Sequence, residues 1–136
     1  MQNAVSLDLL MNEIDVLFEQ KRFEEVVASV YVVESQCMQS IDDVQLSALE
    51  VIKGFSQLCL DKLDDAMISF ELGLNLNPES SQACVGLGET FYLRSKDANA
   101  KLMYEWAVKL DEENVGARRG LEKVNAAIAA AACVNA

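Results

Sequence analysis

The chain has 136 residues, of which 51% are hydrophobic and one is proline, so its composition is that of a single folded helical domain and not of a disordered segment. Its 22 acidic and 11 basic residues leave a net charge of −11, which makes nucleic acid and anionic membranes poor partners and basic proteins good ones. The acidic N-terminus does not have the pattern of a signal peptide, and no apolar run is long enough to span a membrane. We therefore expect a cytoplasmic protein.

The first two predicted helices form a degenerate helix pair. Apolar residues from Leu7 to Phe18 recur at steps of three and four, which predicts a helix capped by Ser6 and ending near residue 20. The stretch that begins at Phe23 has the layout of the stretch that begins at Leu63, so we align Val26 with Ala66. These two residues are 40 apart, six more than the spacing of 34 described below. We assign the surplus to a longer second helix and a looser connection at residues 37–43.

Five further helices are predicted from start and stop signals. Ser40 and Asp43 form a capping pair for a third helix that ends at about Leu60. Pro78 follows the fourth helix and stops it, because proline cannot continue the helical hydrogen-bond ladder. The fourth, fifth and sixth helices span residues 63–76, 80–94 and 97–110. A seventh helix, capped by Asn114, covers the open end of the stack and frays beyond about residue 130.

Three sets of equivalent residues repeat at a spacing of 34 in the central part of the chain. They are Gly54 and Gly88, Ala66 and Ala100, and Phe70 and Tyr104. This period is typical of a helix-turn-helix unit that stacks into a solenoid. Where paired helices cross closely, glycine or alanine lets the backbones approach and a large ring fills the adjacent space.

With this layout, and with Pro78 at the end of the fourth helix, the chain resembles the tetratricopeptide repeats. The resemblance implies an all-α solenoid of three antiparallel helix pairs and a C-terminal capping helix, in one domain over residues 1–136. Repeat 1 covers about 7–40, repeat 2 about 47–80, repeat 3 about 81–114 and the capping helix about 115–130. The middle repeat departs from the family pattern, because Glu50, Lys53 and Gln57 stand where large apolar residues are preferred.

The resemblance also implies a concave groove, lined by the first helix of each pair, that holds a peptide or a helix. Carried over by position, the groove residues are Met11, Asp15, Val51, Phe55, Val85, Glu89, Tyr92, Arg119 and Lys123. The first and middle repeats lack the basic cluster with which some family members hold the terminal carboxylate of heat-shock chaperones. We expect a ligand segment with an apolar centre that is basic toward the first pair and acidic toward the last.

The groove assignment has an alternative at the third helix. Since Glu50, Lys53 and Gln57 are polar, a rotated helix would direct Val51 and Phe55 into the core instead of the groove. Tyr92 likewise has a second interpretation, as a core ring with its hydroxyl at the edge.

Apolar residues also occupy the same two places, four residues apart, in successive second helices. These residues are Ala28 and Val32, Ile68 and Leu72, and Leu102 and Trp106. By the family geometry they face outward and form an apolar stripe of the kind that marks an interface. A homo-oligomer joined by this stripe is therefore an alternative to a monomeric adaptor.

The sequence offers no recognisable catalytic or cofactor chemistry. It has no histidine, and its four cysteines occur singly, without the spacing of metal ligands. The Gly86-Leu87-Gly88 stretch lies in a helical pattern and has no strand before it to form a phosphate loop. We therefore expect no enzyme, no metal and no cofactor, and free thiols in a reducing compartment.

We predict a noncatalytic protein-protein interaction module or scaffold that binds a peptide or helical segment in the groove. Three alternatives stay open: a scaffold that self-assembles through the outward face, a small acidic chaperone for a secreted protein, and an accessory domain of a separate glycosyltransferase or methyltransferase.

Overall fold

Seven α-helices make up the described part of the chain. A computed structural model describes residues 6–134, and no strand occurs in that range. The helices are α1 Leu7–Glu19, α2 Phe23–Gln36, α3 Asp43–Cys59, α4 Leu63–Leu76, α5 Ser81–Leu93, α6 Asp97–Leu110 and α7 Val115–Val134. The predicted helices agree closely with these, except that α7 continues to Val134 instead of fraying beyond residue 130. Residues 1–5 and 135–136, which the predicted domain includes, lie outside the described range.

Side chains cap the first helix of every pair and also the last helix. The capping residues are Ser6, Asp42, Ser80 and Asn114, and each accepts a hydrogen bond from a backbone N–H in the first turn. The predicted cap of α3 by Ser40 and Asp43 is wrong. Instead, the Asp42 carboxylate accepts from the Gln45 N–H at 2.7 Å, and the Gln45 side chain accepts from the Asp42 N–H at 3.1 Å.

The six extra residues between the first and second repeats lie partly in an unexpected place. The predicted longer second helix is wrong, because α2, α4 and α6 each have 14 residues. Two extra residues lie in the connection, which spans 37–42 before α3 but 77–80 before α5. Four more lengthen α3, which has 17 residues against 13 in α5. Since Ser47 and Ser81 make equivalent hydrogen bonds to the carbonyl groups of Gly73 and Ala107, the extra turn is at the start of α3.

In each of the last two pairs one aromatic ring packs against two glycines. Phe70 lies against Gly54 and Gly86, and Tyr104 lies against Gly88 and Gly120. A Cβ atom added to any of these glycines would come within 2.2 to 2.8 Å of the ring. Both rings are fully buried. Because Gly86 belongs to α5 and Gly120 to α7, each ring also fixes its pair to the helix that follows.

The first helices of the pairs and α7 form an inner layer, and the second helices form an outer layer. In addition to the packing between consecutive helices, α1 packs against α3, α3 against α5 and α5 against α7. Within residues 6–134, no such packing joins α2 to α4 or α4 to α6. A stack whose elements are closer together on one side curves toward that side, so the inner layer forms the concave face.

The third helix is not rotated relative to the other inner helices. Gly54 of α3 faces Phe70, as the repeat pattern requires. Consequently Glu50, Lys53 and Gln57 point into the core and are only 1%, 6% and 4% exposed. The rotated alternative is wrong in directing these polar residues outward. Its other part holds for Val51, which is 8% exposed and belongs to the core cluster around Phe70.

Candidate ligand-binding groove

A cavity of about 350 Å³ opens on the concave face between α1, α3 and the start of α5. Its wall is formed by Phe18, Val44, Ser47, Ala48, Val51, Ile52, Phe55, Asn77, Ser80 and Gln82. None of these side chains is charged and most are apolar, so the cavity is suited to a large apolar side chain with a few polar groups at its rim. The extra turn of α3 contributes Val44 to this wall.

Two aromatic rings of the cavity are held from behind by other rings. Phe55 packs edge-on against the buried Phe70, with ring centroids 4.9 Å apart and an interplanar angle of 70°. Phe18 packs in the same manner against Phe23 at 5.7 Å. Edge-to-face pairs of this kind fix ring orientation, so this part of the groove is formed before a ligand arrives.

At the other end of the groove, α5, α6 and α7 share a connected polar network. The Tyr104 hydroxyl donates a hydrogen bond to Glu89 at 2.6 Å, and the Lys123 ammonium forms an ion pair with Glu89 at 3.2 Å. The same ammonium lies 4.4 Å from the centre of the Tyr92 ring. Burial, together with the Glu89 carboxylate, raises the pKa of Tyr104. At this end of the groove the charge of Glu89 is therefore compensated by Lys123.

Five of the nine predicted groove residues meet at one of two places, and the other four do not. Val51 and Phe55 meet at the cavity, where Val51 is only 8% exposed because it also belongs to the core around Phe70. Glu89, Tyr92 and Lys123 meet in the polar network. Asp15 and Arg119 are exposed, and Met11 packs partly against the core of the first pair. Val85 is 5% exposed and belongs to the core cluster around Tyr104, so it has little surface to offer a ligand.

Several cavity residues were missed by the sequence analysis although a signal was present. Ala48 and Gln82 both line the cavity and are 34 residues apart, so the period alone identifies them as equivalent positions. Phe18 lies on the same face of α1 as Met11 and Asp15, at steps of four and three. Its place in the cavity wall follows from the packing of α1 against α3, which the local pattern does not contain.

A buried group of charged residues joins the first pair to the second. The Lys53 ammonium lies 3.0 Å from Glu34 of α2 and 2.9 Å from Glu50 of its own helix, and it faces the Tyr31 ring at 4.7 Å. Within residues 6–134 the Oε2 atom of Glu50 has this ion pair with Lys53 and no hydrogen bond. Burial and the neighbouring Glu34 raise the pKa of Glu50 to about 7, against the opposing effect of Lys53.

The outward stripe is exposed in the single chain. Ile68 and Leu102 are 64% and 63% exposed, and Leu72 and Trp106 are 42% and 50% exposed. Trp106 also borders a second cavity of about 320 Å³, between α4 and α6, whose other lining residues are Leu74, Asn75, Pro78 and Met103. The gap between the outer helices is therefore lined largely by apolar groups.

The four cysteines add no further chemistry to the groove. Cys37 and Cys84 are buried, Cys59 and Cys133 are exposed, and all four are free. Burial raises the pKa of the Cys84 thiol to about 11, so it is poorly reactive. In the described part of the chain, no group of three or more Cys, Asp or Glu side chains is placed to hold a metal ion. In the same range no helix is long and apolar enough to cross a membrane.

Comparison with known proteins gives matches in structure. No family model matches the sequence, and no curated protein matches it. The first repeat domain of Spaghetti (RPAP3), bound to the HSP90 peptide SRMEEVD, is similar over 94% of this chain and 99% of its own, with a TM-score of 0.76 and 20% identity. The Sgt2 domain from Aspergillus fumigatus matches over 91% and 80%, with a TM-score of 0.78 and 18% identity.

A third similar structure is the Yersinia enterocolitica type III secretion chaperone SycD in complex with a peptide of the translocator YopD. It covers 90% of this chain and 97% of its own, with a TM-score of 0.63 and 16% identity. The protein is thus an α-solenoid of helix pairs. At these identities the likeness establishes the fold, which is that of the tetratricopeptide-repeat domains, as the residue spacing predicted.

Proposed function

We propose that the protein is a noncatalytic interaction module that binds a protein segment in its concave groove. The observation that carries this proposal is the apolar cavity of about 350 Å³ between α1, α3 and α5, at the position where the family resemblance implies a ligand. Its rings are held in place by Phe23 and Phe70 behind them, so little ordering is required on binding.

The similar structures support the general part of this proposal, which is that the chain binds a protein segment. Two of them hold peptides, the HSP90 peptide in Spaghetti and the YopD peptide in SycD. The ligand of this chain should differ from an acidic chain end, because α1, α3 and α5 offer no exposed base to a terminal carboxylate. An apolar anchor in the cavity is the feature that we expect its ligand to have.

A pair of tryptophan substitutions tests the site. Ala48 is exposed on the wall of the cavity, whereas Ala28 is exposed on the outer helix α2. We expect Ala48→Trp to fill the cavity and abolish capture of partners from native lysate, and Ala28→Trp to leave capture unchanged. Tyr92→Ala should make the binding free energy of a captured partner about 1 to 3 kcal/mol less favourable if the partner extends to the polar network. Capture that survives Ala48→Trp but fails with Ala28→Trp would move recognition to the outer face.

A second candidate function is self-assembly through the outward stripe. Its support is the exposure of equivalent apolar residues on α4 and α6, at 42% or more for each. A chaperone role has the support that SycD is described as a chaperone, and identification of a captured secreted protein would test it. Nothing in the described residues favours the accessory-domain alternative.

A further inference from the structure

The charge on the first helices of the three pairs is almost entirely acidic, whereas α7, the last helix of the concave layer, carries Arg118, Arg119 and Lys123. α1, α3 and α5 carry seven carboxylates and a single base, Lys53. The carboxylates belong to Asp8, Glu13, Asp15, Glu19, Asp43, Glu50 and Glu89. Lys53 is 6% exposed and lies between Glu34 and Glu50, so its charge is already neutralised inside the protein. A ligand in this part of the groove meets carboxylates and no free ammonium group from these three helices.

The exposed charged residues that adjoin the cavity wall in sequence are carboxylates, whereas the one adjoining base, Lys53 next to Ile52, is buried and paired. Asp15 precedes Phe18 by one turn on the same face of α1, and Asp43 directly precedes Val44. Glu79 directly precedes Ser80 at the other side of the opening. All three carboxylates are exposed. The cavity lining is therefore uncharged, and the exposed charged residues that adjoin it in the chain are acidic.

The base that was expected to attract an acidic ligand end is already paired. Lys123 forms its ion pair with Glu89 at 3.2 Å and covers the Tyr92 ring at 4.4 Å. The expectation of an acidic end rested on this lysine and on Arg119, and the pairing removes one of the two. Arg118 and Arg119 of α7 remain exposed, so the preference for cations applies to the part of the groove that α1, α3 and α5 form.

From these three observations we infer that the groove's ligand is a cationic amphipathic protein segment. A large apolar side chain enters the cavity, and Lys or Arg side chains beside it face Asp15, Asp43 and Glu79. This inference rests on the proposed function, because it assigns the chemistry of the partner for the same groove. The net charge of −11 adds a long-range attraction that speeds association with such a segment.

Three synthetic peptides of about 14 residues test the inference. The first has a leucine stripe and lysines, the second has the same stripe with glutamates, and the third has the lysines with serine in place of leucine. Titration of the full chain should show the first peptide binding at least about tenfold more tightly than either of the others at moderate salt. Asp15→Lys should slow its association, and high salt should reduce this effect.

The site of binding is checked with the same two tryptophan variants. Ala48→Trp should lower the affinity for the leucine-lysine peptide at least about tenfold, whereas Ala28→Trp should leave this affinity unchanged. Equal binding of the glutamate peptide, equal binding of the serine peptide, no binding of the first peptide, or no effect of Ala48→Trp would each overturn the inference. Lysate capture that still depends on Ala48 would then show that the groove binds a partner of different chemistry, so the proposed function would stand alone.

Discussion

Gly116 and Gly120 lie one turn apart on α7, but neighbouring atoms approach Gly120 much more closely than Gly116. A Cβ atom at Gly120 would lie 2.2 Å from the ring of Tyr104, whereas at Gly116 the nearest atom is the Asn114 side-chain oxygen at 3.3 Å. Gly120→Ala should lower the free energy of unfolding by about 1 to 3 kcal/mol, because the buried ring has no space to move. Gly116→Ala should change it by less than about 1 kcal/mol, since the helix propensity of alanine offsets the small shift required of Asn114.

Urea denaturation followed by circular dichroism measures both variants against the natural sequence. Native spectra of the two should be identical, which shows that any difference arises in stability and not in helix content. Equal stability of Gly120→Ala and the natural sequence would mean that Tyr104 is not locked against α7.

The contacts of single residues were only partly predictable. Within a repeat, the pairing of Gly88 with Tyr104 follows from the spacing of 34, because equivalent residues occur in the preceding repeat. Gly86 and Gly120 are also 34 apart, but each contacts a ring of the preceding helix pair. The pattern within one repeat contains no information about that contact between pairs, so both were overlooked.

At the scale of a helix, α3 has polar side chains whose direction the local sequence pattern does not predict. The local pattern allowed a rotated helix with Lys53 and Gln57 on its solvent side, because it does not show the partners that these side chains have on other helices. Lys53 bonds to Glu34 at 3.0 Å, and Gln57 accepts from the Ser69 hydroxyl at 2.7 Å. Burial of such groups is tolerable only when partners from other helices are in place. The presence of the helix and its approximate end were therefore predictable, whereas its extra first turn was not, and the direction of its polar residues depended on tertiary structure.

The buried group on α3 predicts an unusual dependence of stability on pH. The pKa of Glu50 is raised to about 7 from 4.5, so folding favours its protonated form. Its contribution to stability is complete below about pH 4.5 and is lost as the pH rises through 7. Interactions with Glu50 and Lys53 lower the pKa of Glu34 despite partial burial, and the stability from Glu34 is lost only as the pH falls below 4.5. The free energy of unfolding should therefore fall by about 1 to 3 kcal/mol between pH 5 and about 7.5.

Glu50→Gln is the matched variant for this prediction. Glutamine has the same shape and cannot ionise, so the fall in stability over that pH range should be largely absent. The chain has no histidine, which leaves few other groups to titrate in the same range. Urea denaturation at several pH values measures both slopes, and parallel slopes would show that Glu50 is already ionised at pH 5.

At the scale of the whole molecule, the two candidate surfaces respond to salt in opposite ways. Two copies of a chain with a net charge of −11 repel each other, so screening should favour any association through the outward stripe. A cationic ligand is attracted by the same charge, so screening should weaken its binding to the groove. Salt dependence therefore identifies which surface is in use before any variant is made.

The last prediction concerns that outward stripe. If copies associate through it, size-exclusion chromatography with light scattering should show larger species at high salt. Replacing both Leu72 and Trp106 by Glu should restore the monomer, because a charge in an apolar interface is costly to bury. The helix content should not change, since these side chains are 42% and 50% exposed in the single chain.

Leu9 and Leu93 provide the matched control for this experiment. They are 65% and 54% exposed and lie on the inner helices α1 and α5, so replacing both by Glu adds the same charge away from the stripe. This control should associate at high salt as strongly as the natural sequence. A chain that is monomeric at every salt concentration would exclude self-assembly. Loss of association in both double variants would attribute it to net charge, because only a specific interface distinguishes the outer residues from the inner ones.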